Sequence, residues 1–272
     1  MEKTNILKGA RIYLSGPMDF VPSRKEEKRR GWRARVREFL QRFGALVYDP
    51  WAKPLIIGQD GYAEDYEYSN TKRSEWTFED SDKGRKIRAQ LCRFFSPTVH
   101  INRRMVDICN FLVAYCPTNI YSVGTVNEIA RARRQHKPVL LVSPPVSYPA
   151  LDSLVKHLEN RKDEEGLSLL SQLRTQAPLA DNPDAVPSPW YLALMNEDYF
   201  FDGFGFSLYA DKFDWTASPL DTVEQQRSPK RPLLPYLEKL DKAIPQRYDA
   251  VENKFVDNSD WLILEPGVHE RA

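Results

Sequence analysis

The sequence is poor in the residues that build metal sites and disulfide frameworks. Its 272 residues include three Cys and four His. Cys92, Cys109 and Cys116 are odd in number and show no CxxC spacing, which argues against a zinc ribbon or a disulfide scaffold and fits a reducing compartment. No two His have the spacing of metal ligands, so no metal centre is expected. An excess of one charge is also missing: 39 Lys+Arg face 38 Asp+Glu, a net charge of +1. That balance offers no electrostatic case for a nucleic-acid binder. No apolar run reaches the roughly 18 residues of a membrane span, and MEKTNILKGARIYLSG holds too short an apolar stretch for a secretory signal. The expectation is a cytoplasmic protein with neither nucleic acid nor membrane as partner. GxGxxG does not occur, so the dinucleotide fingerprint is absent.

What is present is enough apolar sequence for a sizeable core, 42% of the chain with 28% charged. ARIYLSGPM (10–18) reads as a buried strand broken by Gly16-Pro17. Residues 24–43 predict one helix, with Trp32, Val36, Phe39, Leu40 and Phe43 at helical spacing and Gly44 as its stop. LVYDP (46–50) is a second strand. Residues 51–100 lose this rhythm and read as a long insertion with partial helix. Its Tyr62, Tyr66, Tyr68, Trp76 and Phe78 fit a lid over substrate as well as a surface excursion with its own apolar cluster. Order returns with a helix in NRRMVDICN, a strand FLVAYC (111–116), a helix VNEIARARRQH (126–136) and a strand KPVLLVS (137–143). Strands alternating with helices predict an α/β fold, a Rossmann-like (flavodoxin-like), mostly parallel sheet covered on both faces. The expected division is a core over 1–145, carrying the 51–100 insertion, and a helical and irregular C-terminal extension over 146–272. In that extension one amphipathic helix is expected at 149–175, a proline-rich arm at 176–190, a hairpin or docking loop in NEDYFFDGFGFSLYADKFDWT, a helix in PYLEKLDKAI and a strand in SDWLILEPG.

Open α/β sheets bind ligands at the carboxyl ends of their strands. Three loops fall there: Ser15-Gly16-Pro17-Met18-Asp19, Asp49-Pro50, and Tyr121 to Glu128. In the third, Ser122-x-Gly124-Thr125-x-x-Glu128 puts small residues at a helix start, where free N–H groups hold anions or hydroxyls. Glu128 in a first turn has its charged form favoured by the helix dipole, as a nucleophile needs. The same spacing fits a capping box, with Thr125 as N-cap and Glu128 closing it. Lower in rank stand His100 as a general acid, His136 as a helix C-terminal capping partner, Arg103-Arg104 as a phosphate site or a solvated face, and the aromatics of 199–206 as a base wall or plain core.

IYLSGPM, FGALVYDP, VDICNFLVAY and SVGTVNEIARARRQHKPVLLV, in this order and spacing, resemble the nucleoside 2-deoxyribosyltransferase family and the related nucleotide N-hydrolases over most of residues 10–143, apart from 51–100. The resemblance implies a small Rossmann-like core that cleaves the N-glycosidic bond of nucleosides or nucleotides and passes the sugar to another base or to water, with no cofactor or metal. It implies Glu128 as the nucleophile, Tyr13 as its orienting tyrosine, and Ser122 and Gly124 as contacts to the sugar 5′ end. A serine at 122 tilts this expectation toward a phosphorylated substrate. The resemblance departs at Asn102, where the family's base-facing aspartate is expected, and at Asn110. An amide hydrogen-bonds a base edge but delivers no proton, so the acid is sought at Asp19, Asp49, Asp107, in 51–100 or on a neighbouring subunit. Asp107 also lies near enough for a slipped alignment. Ser15, Gly16, Met18, Asp19, Asp49, Asn102, Ser122, Gly124 and Thr125 complete the expected substrate site. The implied partners are a small nucleoside or nucleotide, a free base, and further copies of the chain as a homodimer or higher. Two other functions stay open: an NAD or ADP-ribose glycohydrolase, and a nucleotide-binding sensor without turnover.

Overall fold

The computed structural model describes residues 5–18, 24–52, 74–118, 120, 122–177, 181–218, 221, 224 and 227–264. Its main sheet contains β1 (Arg11–Ser15), β2 (Leu46–Tyr48), β3 (Phe111–Tyr115), β4 (Val139–Val142) and β5 (Phe200–Phe201). The strand order is β2-β1-β3-β4-β5, with every neighbouring pair parallel. The helices are α1 (Arg24–Arg30), α2 (Trp32–Gln41), α3 (Asp82–Ile108), α4 (Val123–Arg134), α5 (Pro149–Arg161), α6 (Glu164–Gln176), α7 (Pro189–Leu194) and α8 (Leu233–Leu240). This is the expected α/β, flavodoxin-like arrangement. Because β2 lies on one side of β1 and β3 on the other, the strand order reverses between β1 and β3, which opens a crevice at their carboxyl ends.

Strand alternation divides the core in two. Ile12, Leu14, Phe111, Val113, Leu140 and Val142 face one way and pack with Trp32, Val36 and Phe39 of α2 and with the C-terminal aromatics. Tyr13, Leu112, Ala114, Val139 and Leu141 face the other way, against Met105 and Val106 of α3 and Ile129 and Ala132 of α4. The second face carries the candidate chemistry.

Several elements differ from their sequence reading. The 24–43 helix is two helices broken at Gly31, where a Cβ would lie 2.4 Å from the Glu27 carbonyl oxygen. The 149–175 helix is also two, separated by Lys162 at φ 53° and restarted by Asp163, whose side chain accepts from the Gly166 N–H at 2.8 Å. Helix α3 begins at Asp82, well before Asn102, with Ser81 as its N-cap accepting from the Gly84 N–H at 3.1 Å. Its first half buries Gly84 and Leu91 and no apolar stripe, so there is no periodicity to read. Trp76 and Phe78 are exposed and touch each other edge to face, while Tyr62, Tyr66 and Tyr68 lie outside the described residues.

The aromatic run after residue 196 is neither hairpin nor docking loop. Phe200–Phe201 adds the fifth strand, and Phe204 and Phe206 stack into the core beside Trp32. SDWLIL is a 3-10 turn that buries Trp261, preceded by an unforeseen antiparallel hairpin of β6 (Gln246–Asp249) and β7 (Lys254–Asp257). Short polar strands such as QRYD carry too little apolar signal to read.

This packing separates two leucines. Leu140→Ala, in the fully buried centre of β4, should lower the unfolding free energy by about 2–5 kcal/mol. Leu154→Ala, at a side chain 44% exposed on α5, should change it by less than about 0.5 kcal/mol. Urea titrations giving the two variants equal midpoints would contradict this layering.

Candidate active site

The site is built where β1 ends beside α4. Residues two apart on a strand share a face, so Tyr13 and Ser15 both present hydroxyls toward α4. On α4, Thr125, Glu128, Ile129 and Ala132 form the buried stripe, which carries a carboxylate into an otherwise apolar face. Glu128 is 7% exposed. The Tyr13 phenol donates to its Oε1 at 2.8 Å, the Ser15 hydroxyl donates to Oε2, and the Asn102 amide of α3 donates to Oε1 at 3.3 Å. Both carboxylate oxygens are thus engaged, by three donors from two segments distant in sequence. Asn102 keeps its own Oδ1 buried and without a hydrogen-bond partner.

Arg33 stands behind this cluster, 1% exposed. Its guanidinium donates to the carbonyls of Leu14 at 3.3 Å, Pro17 at 3.2 Å and Gly16 at 2.6 Å, and so fixes the turn that follows β1. Gly16 leaves room for that turn: a Cβ there would come within 2.8 Å of the Trp32 ring. Sequence reading missed Arg33. The available signal was a cation beside Trp32 on a helix that must bury one face.

Electrostatics set the state of the carboxylate. Burial raises the Glu128 pKa above its ordinary 4.5, against the lowering pull of the Ser15 and Tyr13 hydrogen bonds, the Arg33 charge and the Asn102 amide. Burial also raises the Tyr13 phenol well above 10, followed by the effect of the nearby Glu128 charge, so Tyr13 stays a donor.

No family model and no curated protein sequence matches the chain. A solved structure of a 2-deoxyribosyltransferase from the psychrotolerant bacterium Bacillus psychrosaccharolyticus is similar to it at 18% identity and a TM-score of 0.26, over 50% of this chain and 73% of that one. A likeness so distant carries no argument about activity. The chemistry has to be argued from the side chains.

Of the residues singled out from sequence, Tyr13, Ser15, Asn102 and Glu128 converge. Thr125 is buried one helical turn from Glu128, and Ser122 is the N-cap of α4, its hydroxyl 2.7 Å from that of Thr125. The capping-box reading is therefore overturned: Thr125 is not the N-cap, and Glu128 turns inward to the sheet. Glu128 also lies beyond the first turn, which contains no acidic residue, so the dipole argument lapses and burial dominates. Gly124 faces open space, and Asp19 lies outside the described residues. Met18 is half-buried in the turn after β1.

Asp49 is buried but structural, accepting from Arg37 at 3.1 Å and from the Trp51 N–H at 2.9 Å. Asp107 faces Arg131, with bonds of 2.6 and 2.7 Å, and hydrogen bonds from Arg131 hold its pKa down to about 2. The residue beside the carboxylate is thus Asn102 and not Asp107. Asn110 joins the opposite ends of β1 and β3, accepting from the Arg11 N–H at 2.8 Å. His100 is exposed on α3, and His136 closes α4 through its backbone at φ 56°. Arg103 reaches Asn127 at 3.3 Å, and Arg104 is exposed. Among the described residues, no three His, Cys, Asp or Glu side chains converge on a point that would hold a metal ion.

Next to Thr125 opens a cleft of about 800 Å³, bounded by the ends of β3 and β4, the start of α4, and α7. Sequence reading gave no hint of it, because its far wall is the proline-rich arm. Cys116 lies in this wall with its thiol pushed up to about 12 by burial, which keeps it protonated and unreactive.

The raised pKa of Glu128 has a testable sign. The folded protein retains this proton at pH values where the unfolded chain has lost it, so stability falls as pH climbs from 4.5 through the raised value. Glu128→Gln removes that titration. Thermal unfolding across this range should show the Tm of the variant relative to wild type climbing with pH and then levelling. A difference that is flat or shrinks with pH would contradict the buried-carboxylate account.

Proposed function

We propose that the chain cleaves the N-glycosidic bond of a nucleoside or nucleotide, with Glu128 as nucleophile, and passes the sugar to a second base or to water. The supporting observation is the carboxylate itself. A charge buried at the sheet's reversal point is costly, and its three donors fit a group that must stay ionisable and correctly aimed. In the first step a Glu128 oxygen attacks the anomeric carbon and forms a glycosyl ester, while the base departs with the electron pair of the broken C–N bond. In the second, a base or water attacks that carbon and the carboxylate leaves, giving net retention of configuration.

Tyr13 and Ser15 fix the direction of attack, and with Arg33 they oppose the effect of burial on the Glu128 proton. Asn102 offers its unpaired Oδ1 to a donor on the base edge. Neither Asn102 nor Asp107 protonates the departing base, since one is an amide and the other is held ionised by Arg131. The base takes its proton from water or from an acid outside this cluster.

Chromatography of a panel of nucleosides, mononucleotides and NAD, with and without an acceptor base, tests the reading. Base release should disappear in Glu128→Ala. It should fall by about 10- to 100-fold in Tyr13→Phe, which removes one hydrogen bond to a charged group. The rate should also rise with pH through the Glu128 titration. Release that survives in Glu128→Ala would overturn the assignment. Release from NAD alone would move the activity to dinucleotide glycohydrolysis.

A further inference from the structure

The cleft beside Thr125 has a composition that the glycosidic reading does not explain. None of its described lining residues carries a charge. Its walls come mainly from Pro17, Leu141, Val186, Trp190 and Leu194. Yet one buried polar atom among the described residues of the wall lacks a partner. The Ser143 hydroxyl, at the carboxyl end of β4, is buried to 1% exposure and makes no hydrogen bond. Buried hydroxyls are normally paired, so this one points to a bound group that supplies the partner. Trp190, in the same wall, leaves 79% of its surface uncovered, which a ligand would cover.

The position of the cleft indicates which part of a substrate would enter it. Asn102 approaches Glu128 from α3 with its free Oδ1, whereas the cleft is bounded by β3, β4 and the first turn of α4. In a furanose ring, C1′ carries the base, and C4′, with its C5′ arm, lies across the ring. With C1′ at Glu128 and the base toward Asn102, the C5′ arm is directed into the cleft.

A 5′-phosphate would be poorly received there. It brings close to two negative charges, which need cations or many donors when desolvated. Arg33 is committed to three backbone carbonyls and the Ser122 hydroxyl to Thr125, so the uncapped N–H groups at the start of α4 would have to hold the charge with no cation among the described lining residues. The volume of about 800 Å³ is also far more than a hydroxymethyl group needs.

We propose that the cleft binds an uncharged, apolar substituent on the 5′ carbon of the nucleoside, such as an alkylthio group, against Trp190 and Ser143, and that it disfavours 5′-phosphates. This assignment rests on the glycosidic reading for the orientation of the sugar. It also reverses the phosphate preference that Ser122 implies from sequence.

Binding and base release should be measured separately on the full chain. Calorimetric titrations would compare one purine nucleoside in its 5′-hydroxy, 5′-butylthio and 5′-monophosphate forms. The butylthio form is expected to bind at least about tenfold more tightly than the hydroxy form, and the monophosphate at least about tenfold more weakly. Trp190→Ala should cost the butylthio form at least about tenfold more affinity than it costs the hydroxy form. A monophosphate bound as tightly as the hydroxy form, or a Trp190→Ala loss equal for all three, overturns the proposal. Base release accompanied by the wrong affinity order removes the cleft assignment and keeps Glu128 chemistry. The right order without base release keeps the cleft and removes the chemistry. Binding of none of the three overturns both.

Discussion

Burying the Glu128 carboxylate constrains the surrounding structure more than any other interaction. A carboxylate in that position is tolerable only with donors on both oxygens and a positive charge behind it, and no single segment supplies these. Tyr13 and Ser15 reach it because strand alternation puts both on the α4 face of β1. A one-residue slip of β1 would turn both hydroxyls into the opposite core and replace them with Ile12 and Leu14. Asn102 reaches it only if α3 crosses the same face, and Arg33 acts from α2 by gripping the turn after β1. The cluster exists only in the assembled sheet, so its geometry and the integrity of the fold are coupled.

The sequence was readable where periodicity and burial coincide. FLVAYC and KPVLLVS hold short apolar runs beside turn residues, and they form the neighbouring strands β3 and β4. Helix α4 was equally plain, as was the possibility that Glu128 on it mattered. Its orientation was not plain, because a capping box and an inward carboxylate have the same spacing, and only the actual N-cap at Ser122 separates them. Helix α3 was half hidden: its N-terminal turns lie against little else, so no stripe of apolar residues marks them. Strand β5 was hidden for the opposite reason. In an aromatic-rich run of two glycines and four phenylalanines, every position looks buried, and the two residues that pair with β4 do not stand out. The Arg33 role and the cleft depend on contacts between segments far apart in sequence, and no local pattern encodes them.

The nucleophile and the cleft place the same demand on electrostatics. Glu128 already sits above its ordinary pKa because burial outweighs its donors and Arg33. A further negative charge held nearby would favour the protonated form still more and take the carboxylate further from the anion that attacks. A site that bound a phosphate beside this group would need a second buried cation to restore the balance. The described wall of the cleft contains none, and Arg33 is already shared among three carbonyls. An uncharged 5′ substituent avoids that conflict. It adds apolar contact area against Trp190 without placing a second negative charge near the one that Tyr13 and Ser15 hold. The lack of cations among the described residues of the cleft wall and the raised proton affinity of Glu128 can then be understood as one electrostatic arrangement.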